Sequence, residues 1–321
     1  MGTVDKEQVI NLIKQTASGE KYPLAKLISE IERIDSFEFR KFIFEEIENF
    51  SQADKKCITI GFTGTPGAGK SSLIGQICQE FLKHTQNKRL AILAIDPSSN
   101  ISGGSILGDR TRVTIPAREN RIFFRSQPSQ LELGGLNPFT YHVLRLLRYF
   151  FDYVIVETVG IGQNEIEVSK LTDYSFLILQ PLAGDQIQFM KSGIMEVPDA
   201  FVINKCDEKE LAAASYHTLI TSLDFLKDTF LNHEIPPIFQ TSVINQIGIR
   251  ELFDFMLSIK IQKNREEETK YQISKWVKSE YGNFGLRTIY KSSIDLLNFN
   301  EQYENIESKI VENIFKSTVP W

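Results

Sequence analysis

Cysteine and histidine are both scarce in this 321-residue chain, which has 3 of the first and 4 of the second. Cys57, Cys78 and Cys206 lie far apart, each beside apolar residues. An odd, unclustered set predicts a reducing compartment, small core side chains and no CxxC metal site. His84, His142, His217 and His233 are scattered too and are assigned no chemistry. Zinc or nickel held by a Cys/His cluster is therefore not expected. A basic excess is also missing: 36 Lys and Arg stand against 41 Asp and Glu, a net charge of −5. That balance argues against a nucleic-acid partner. No apolar run approaches the ~18 residues of a membrane-spanning helix, so no membrane partner is expected. No Gly- or Pro-rich tract signals low complexity. The opening MGTVDKEQVINLIKQ is mixed in charge and helical in pattern, unlike a signal or transit peptide, so the expected location is cytoplasmic.

What is present is an ordinary globular composition, 42% hydrophobic and 24% charged. At about 150 residues per domain, the length fits one large domain with additions, or two domains. A chain this long buries about three quarters of its unfolded surface and needs no disulfide or structural metal to fold.

Residues 1–50 read as a helical extension, with Leu24, Leu27, Ile28 and Ile31 on one face at i, i+3, i+4 and i+7. Residues 37–50 form a second run rich in apolar residues and Glu. Seven short apolar runs follow: 58–62, 90–95, 121–124, 153–157, 176–180, 200–204 and 237–241. Helical stretches such as 70–86, 138–150 and 209–231 separate most of them. Strands that do not alternate, divided by helices, predict an α/β fold with a doubly wound, mostly parallel sheet covered on both faces. After Ile249 the strands stop. The remainder reads as helices, with Ile306, Ile310 and Ile314 marking the last, and the charged 262–270 segment as an exposed helix or hinge. The expected organisation is an N-terminal extension (1–50), a nucleotide domain (51–261) and a C-terminal helical arm (262–321).

The strongest local signal is Gly64-Thr65-Pro66-Gly67-Ala68-Gly69-Lys70-Ser71, a complete GxxxxGK[ST] between a strand and an apolar helix, with Ser72 next in that helix. Its glycines let backbone N–H groups wrap the phosphates, Lys70 supplies the positive charge, and the Ser71 hydroxyl is a Mg²⁺ ligand. A second signal is Asn204-Lys205-Cys206-Asp207, an NKxD pattern at a strand's C-terminal end, where an open α/β sheet binds its ligands. Asp207 can accept hydrogen bonds from guanine N1–H and the 2-amino group, while the Lys205 stem lies against the purine face. The cofactors expected are GTP/GDP and Mg²⁺.

A third signal is the apolar strand ending in Glu157, followed by Thr158-Val159-Gly160. The acid reaches the Mg²⁺ shell and the glycine amide senses the γ-phosphate. Gln163, three residues past Gly160, is the candidate water-positioning group. Asp96 and Asp109 read equally well as site acids or as ordinary turn and cap residues.

Together these residues resemble the MeaB/ArgK/MMAA family of P-loop GTPases, of the SIMIBI type. The resemblance rests on GTPGAGKSSL (64–73), DPSSNISGGSILGDRTR (96–112), VETVGIGQNE (156–165), GDQIQFMKSGIMEVPD (184–199) and NKCD (204–207), with ASGEKYPLAKLISEIE (17–32) at the start. It implies a GTP-hydrolysing G-protein chaperone that gates adenosylcobalamin loading of an acyl-CoA mutase and protects that enzyme, most often methylmalonyl-CoA mutase. It also implies a homodimer joined through C-terminal helices. Asp96, Asp109 and Glu157 become the acids around Mg²⁺ with Ser71. Lys191 falls in a loop (182–194) resembling the family's third switch. Thr241, Ser242, Val243 and Ile244 stand where a Ser-Ala motif backs the guanine. Three positions depart from the family pattern: Asn100 for Pro, Phe189 for Gly and Pro198 for Ala. Two other classes compete with this reading: a transport-associated ATPase or kinase of the ArgK label, which needs an adenine-tolerant pocket, and a nickel-delivery GTPase, which needs a Cys/His cluster.

Overall fold

A computed structural model describes residues 6–33, 37–50, 56–96, 119–129, 136–158, 163–181, 197–230, 233–261, 264–291 and 302–318. The chain divides into two compact units. One holds residues 55–140 and 150–261, and the other gathers 1–54, 141–149 and 262–321.

The first unit is built on seven strands: β1 (Ile58–Gly64), β2 (Leu90–Asp96), β3 (Ile122–Pro128), β4 (Tyr153–Thr158), β5 (Tyr174–Leu179), β6 (Ala200–Ile203) and β7 (Ile238–Gln240). They form one sheet in the order β3-β2-β4-β1-β5-β6-β7, every pair parallel. The helices of this unit are α4 (Lys70–His84), α6 (Gln163–Leu171), α7 (Lys209–Phe225) and α8 (Ile249–Ser258). Both sheet faces are apolar because both are covered. Phe62, Phe176, Ile178 and Val202 share one core with Leu73, Ile74, Ile77 of α4 and Leu252, Phe253 of α8. On the other face, Leu177, Leu179, Phe201 and Ile203 pack with Ala212, Leu219 and Leu223 of α7. Successive side chains of one strand thus enter two different cores, which is why the strands show no polar alternation. The three cysteines are free and buried, and burial pushes the Cys78 thiol up to about 12.

Sheet order fixes where a ligand can sit. From β1 the chain crosses to β2 on one side and later places β5 on the other. The C-terminal end of β1 is thus the topological switch point, the usual crevice of an open parallel sheet.

The second unit is helical: α1 (Lys6–Ala17), α2 (Lys21–Ile31), α3 (Phe37–Phe50), residues 141–149 of α5 (Thr140–Phe150), α9 (Arg265–Lys291) and α10 (Tyr303–Thr318). Ile306, Ile310 and Ile314 are buried, as their spacing predicts. The two ends of the chain meet here around a buried ionic cluster. Arg145 grips Glu304 through both guanidinium nitrogens, at 2.6 and 3.2 Å, and lies 4.0 Å over the Phe44 ring. His142 Nδ1 is 3.3 Å from Glu304 and its Nε2 3.8 Å from Glu307.

Three expectations are corrected. The charged 262–270 segment is not a wholly solvated face, because Glu268 is buried against Arg148 at 2.7 and 3.2 Å. The helix expected over 209–231 ends at Phe225, after which Lys227–Thr229 forms a single 3₁₀ turn. His142, given no chemistry from sequence, sits inside a charge network. Among the described residues, no helix is long and apolar enough to cross a membrane.

Candidate functional site

The loop from β1 to α4 is shaped by two glycines at positive φ, where any side chain would be strained and crowded. Gly64 has φ +140°, and a Cβ there would stand 2.1 Å from the Ile178 carbonyl oxygen. Gly69 has φ +84°, and its Cβ would stand 2.5 Å from Asn204 Nδ2. Pro66 and Gly67 are exposed at the tip, while Thr65 and Ala68 are buried beneath it. Gly69 caps α4 without a side-chain hydrogen bond. The first helical N–H groups, from Lys70, Ser71 and Ser72, therefore point toward the loop's concave side as an anion site.

Lys70 is buried, and its ammonium donates to the Gly64 and Thr65 carbonyls at 2.8 Å each. These contacts hold a cation at the loop with two neutral acceptors, an arrangement a phosphate oxygen would improve through charge-assisted bonding. Next along the helix, Ser71 Oγ donates to Glu157 Oε1 at 2.7 Å. Glu157 lies opposite Ala94 in the β2–β4 register, and Asp96 is two residues beyond Ala94. With a side-chain period of two, Glu157 and Asp96 emerge on the same sheet face. Both are buried, and Asp96 accepts a hydrogen bond from Ser126 Oγ. One hydroxyl and two carboxylates are hard oxygen donors, a set that suits Mg²⁺ with waters completing its shell. Among the described residues, no group of three or more His, Cys, Asp or Glu side chains is gathered for a metal.

The second half of the site is at the ends of β6 and β7. Asn204 is buried; its Nδ2 donates to the Ala68 carbonyl at 2.9 Å, and its Oδ1 accepts from Thr241 Oγ1 at 3.0 Å. Lys205 has φ +64° and its Nζ donates to Gln180 Oε1 at 3.0 Å. The Cys206 N–H donates to the Thr241 carbonyl at 3.0 Å. Burial raises the Cys206 thiol above its ordinary range; the Thr241 hydrogen bond opposes this and the Asp207 charge adds to it, so the thiol stays neutral. Asp207 accepts a hydrogen bond from Ser242 Oγ, which also accepts the Asn245 N–H at 3.0 Å. A short bridge between Ser242 and Ile247 closes that turn. Val243 is half-buried. Ile244 is 79% exposed.

Phosphate loop and base motif, far apart in sequence, are thus brought together with Glu157 and Asp96. Asp109, Lys191, Val159, Gly160 and the 182–194 loop lie outside the described residues, as do Asn100 and Phe189. Gln163 opens α6, but its side chain is likewise outside them. Pro198 is buried just ahead of β6. Sequence reasoning missed Gln180, whose only signal was its place directly after β5, beside the strand that leads into the NKxD motif.

Comparison with known proteins agrees with this geometry. The family model described as methylmalonyl Co-A mutase-associated GTPase MeaB matches residues 24–281. A mitochondrial methylmalonic aciduria type A homolog of Caenorhabditis elegans is 32% identical over 292 residues, covering 86% of this chain and 72% of that protein. The GTPase ArgK of Escherichia coli is 34% identical over 231 residues, 70% of this chain and 69% of that protein. A crystal structure described as LAO/AO transport system kinase covers 99% of this chain and 100% of its own, with TM-score 0.64 and 21% identity, a likeness of fold.

Proposed function

Because the chain belongs to the MeaB family of methylmalonyl Co-A mutase-associated GTPases, we propose that its nucleotide cycle serves an adenosylcobalamin-dependent acyl-CoA mutase, methylmalonyl-CoA mutase first. The chain is a GTPase, and the reaction is GTP + H₂O → GDP + phosphate. The observation that carries the chemistry is the contiguous arrangement of Lys70 on the Gly64 and Thr65 carbonyls and Ser71 on Glu157.

In the proposed mechanism, the loop amides and Lys70 hold the β- and γ-phosphates. Lys70 exchanges its two carbonyl contacts for phosphate oxygens and stabilises charge as it develops on the leaving diphosphate. Ser71, Glu157 and Asp96 would hold Mg²⁺, with Asp109 as a further candidate. When bound, that ion neutralises charge on the β- and γ-oxygens. Asp207 and Lys205 select guanine, and Gln163 is the proposed group that orients the attacking water. Lys191 is proposed to carry nucleotide state to the partner. With no Gln directly after Gly160, intrinsic turnover is expected to be slow and raised by the partner.

The mutase role is supported by the family's description and by the name of the nematode relative. A homodimer through the C-terminal helices is part of the same proposal. Phe284 and Tyr290 on α9 and Phe315 on α10 are exposed apolar side chains suited to such a contact. The test is size-exclusion chromatography of the protein with purified methylmalonyl-CoA mutase, loaded in turn with GDP and a non-hydrolysable GTP analogue. Nucleotide-dependent co-elution is expected. Separate elution in both states contradicts the role.

A further inference from the structure

The purine-facing lysine of the base motif has a partner that the motif does not contain. Lys205 leaves β6 with φ +64°, a backbone conformation that a lysine adopts at some cost. Four contacts hold that backbone in place. The Asn204 side chain is tied to Ala68 and Thr241, the Asn204 N–H donates to the Leu179 carbonyl at 2.8 Å, and the Cys206 N–H donates to the Thr241 carbonyl. The long side chain that emerges belongs to an exposed residue. A Cβ built on Gly69 would stand 3.7 Å from Lys205 Cε, so the stem runs over the end of the phosphate loop. Its ammonium then meets Gln180 Oε1 at 3.0 Å. Gln180 is half-buried and directly follows β5, whose Leu179 already anchors Asn204.

We propose that Gln180 is a positioning residue of the guanine pocket, fixing the Lys205 stem as one wall of the slot before nucleotide arrives. The proposal rests on the guanine reading of Asp207. A free lysine side chain carries rotamer entropy that binding must remove, and a partner at its tip removes part of it beforehand. Gln180 needs no contact with the nucleotide to act in this way. It acts through Lys205 on the base, so GTP and GDP are affected alike.

Calorimetric titration with GDP and with GTP tests this on wild type, Gln180→Ala, Gln180→Glu, Lys205→Ala and the Gln180→Ala/Lys205→Ala double variant. Gln180→Ala should weaken both nucleotides roughly three- to ten-fold. In hydrolysis assays its change should fall on KM, with kcat moving less than two-fold. Gln180→Glu keeps an acceptor for the ammonium and should restore affinity. The double variant should bind no more weakly than Lys205→Ala alone. Unchanged or tighter binding by Gln180→Ala overturns the proposal, the latter because Gln180 would then compete with nucleotide for the lysine. Losses that multiply in the double variant also overturn it. A wild type that binds neither GDP nor GTP overturns the guanine reading beneath it instead.

Discussion

The side-chain amide of Asn204 donates a 2.9 Å hydrogen bond to the carbonyl of Ala68, joining residues 136 positions apart in sequence. The base motif and the phosphate loop are therefore one rigid piece, and removal of this amide should be felt at both. Asn204→Ala strands the buried Ala68 carbonyl and the Thr241 hydroxyl, each at about 1–3 kcal/mol. The expected result is a 10- to 100-fold loss of affinity for GTP and GDP alike, with a lower melting temperature. Titration of both nucleotides and a thermal melt check it.

Lys70 and Glu157 fail differently. Lys70→Ala removes the one cation the loop holds for phosphate, and hydrolysis should fall by about 10²-fold or more. Glu157→Gln preserves an acceptor for Ser71 but removes the carboxylate charge. Its activity should be recovered in part by raising Mg²⁺, with half-activation moved up by about ten-fold. Single-turnover rates across a Mg²⁺ series separate the two.

Asp207 is proposed to offer its carboxylate to guanine N1–H and the 2-amino group, and Ser242 hydrogen-bonds that carboxylate. Asp207→Asn replaces an acceptor with a donor against the same edge. GTP binding should fall by about 10²-fold while xanthosine triphosphate binding rises, since a buried polar mismatch discriminates strongly. Competition between the two triphosphates reads this directly.

The buried cluster of the helical unit predicts a pH dependence of stability. Burial raises Glu304, but Arg145 and His142 outweigh it and hold the carboxyl at about 2. For Glu307, burial and the Glu304 charge raise the carboxyl to about 8 against the pull of Arg40. Burial lowers His142, with Glu304 opposing. A raised carboxyl contributes stability below its unfolded value of 4.5 and loses it as pH rises to 8. His142, lowered from 6.5, contributes the opposite trend only below 6.5. From pH 6.5 to 8 the Glu307 loss is therefore unopposed, at about 2 kcal/mol. Glu307→Gln should melt like wild type near pH 4.5 and above it at higher pH, by a margin that grows up to pH 8.

All seven strands were legible in the sequence as short apolar runs, the central ones buried on both faces, and the P-loop and NKxD motifs were legible because their spacing is local. What stayed hidden is long-range. Glu268, Glu304 and Glu307 look like solvent-facing acids until the fold brings Arg148, Arg145 and His142 against them; Arg145 and Glu304 are 159 residues apart. Gln180 carries no motif, and the hydrogen bond from Thr241 to Asn204 is not written in its own stretch; only the β5-β6-β7 order places them beside Lys205 and Asn204.

The central claim is that this GTPase works for a mutase. Its most direct measurement is the single-turnover rate of GTP hydrolysis by the purified protein, with and without an adenosylcobalamin-dependent methylmalonyl-CoA mutase. Slow hydrolysis alone is expected, with an acceleration of about ten-fold or more on mutase addition. Fast hydrolysis by the isolated protein, unaltered by the mutase, would contradict it.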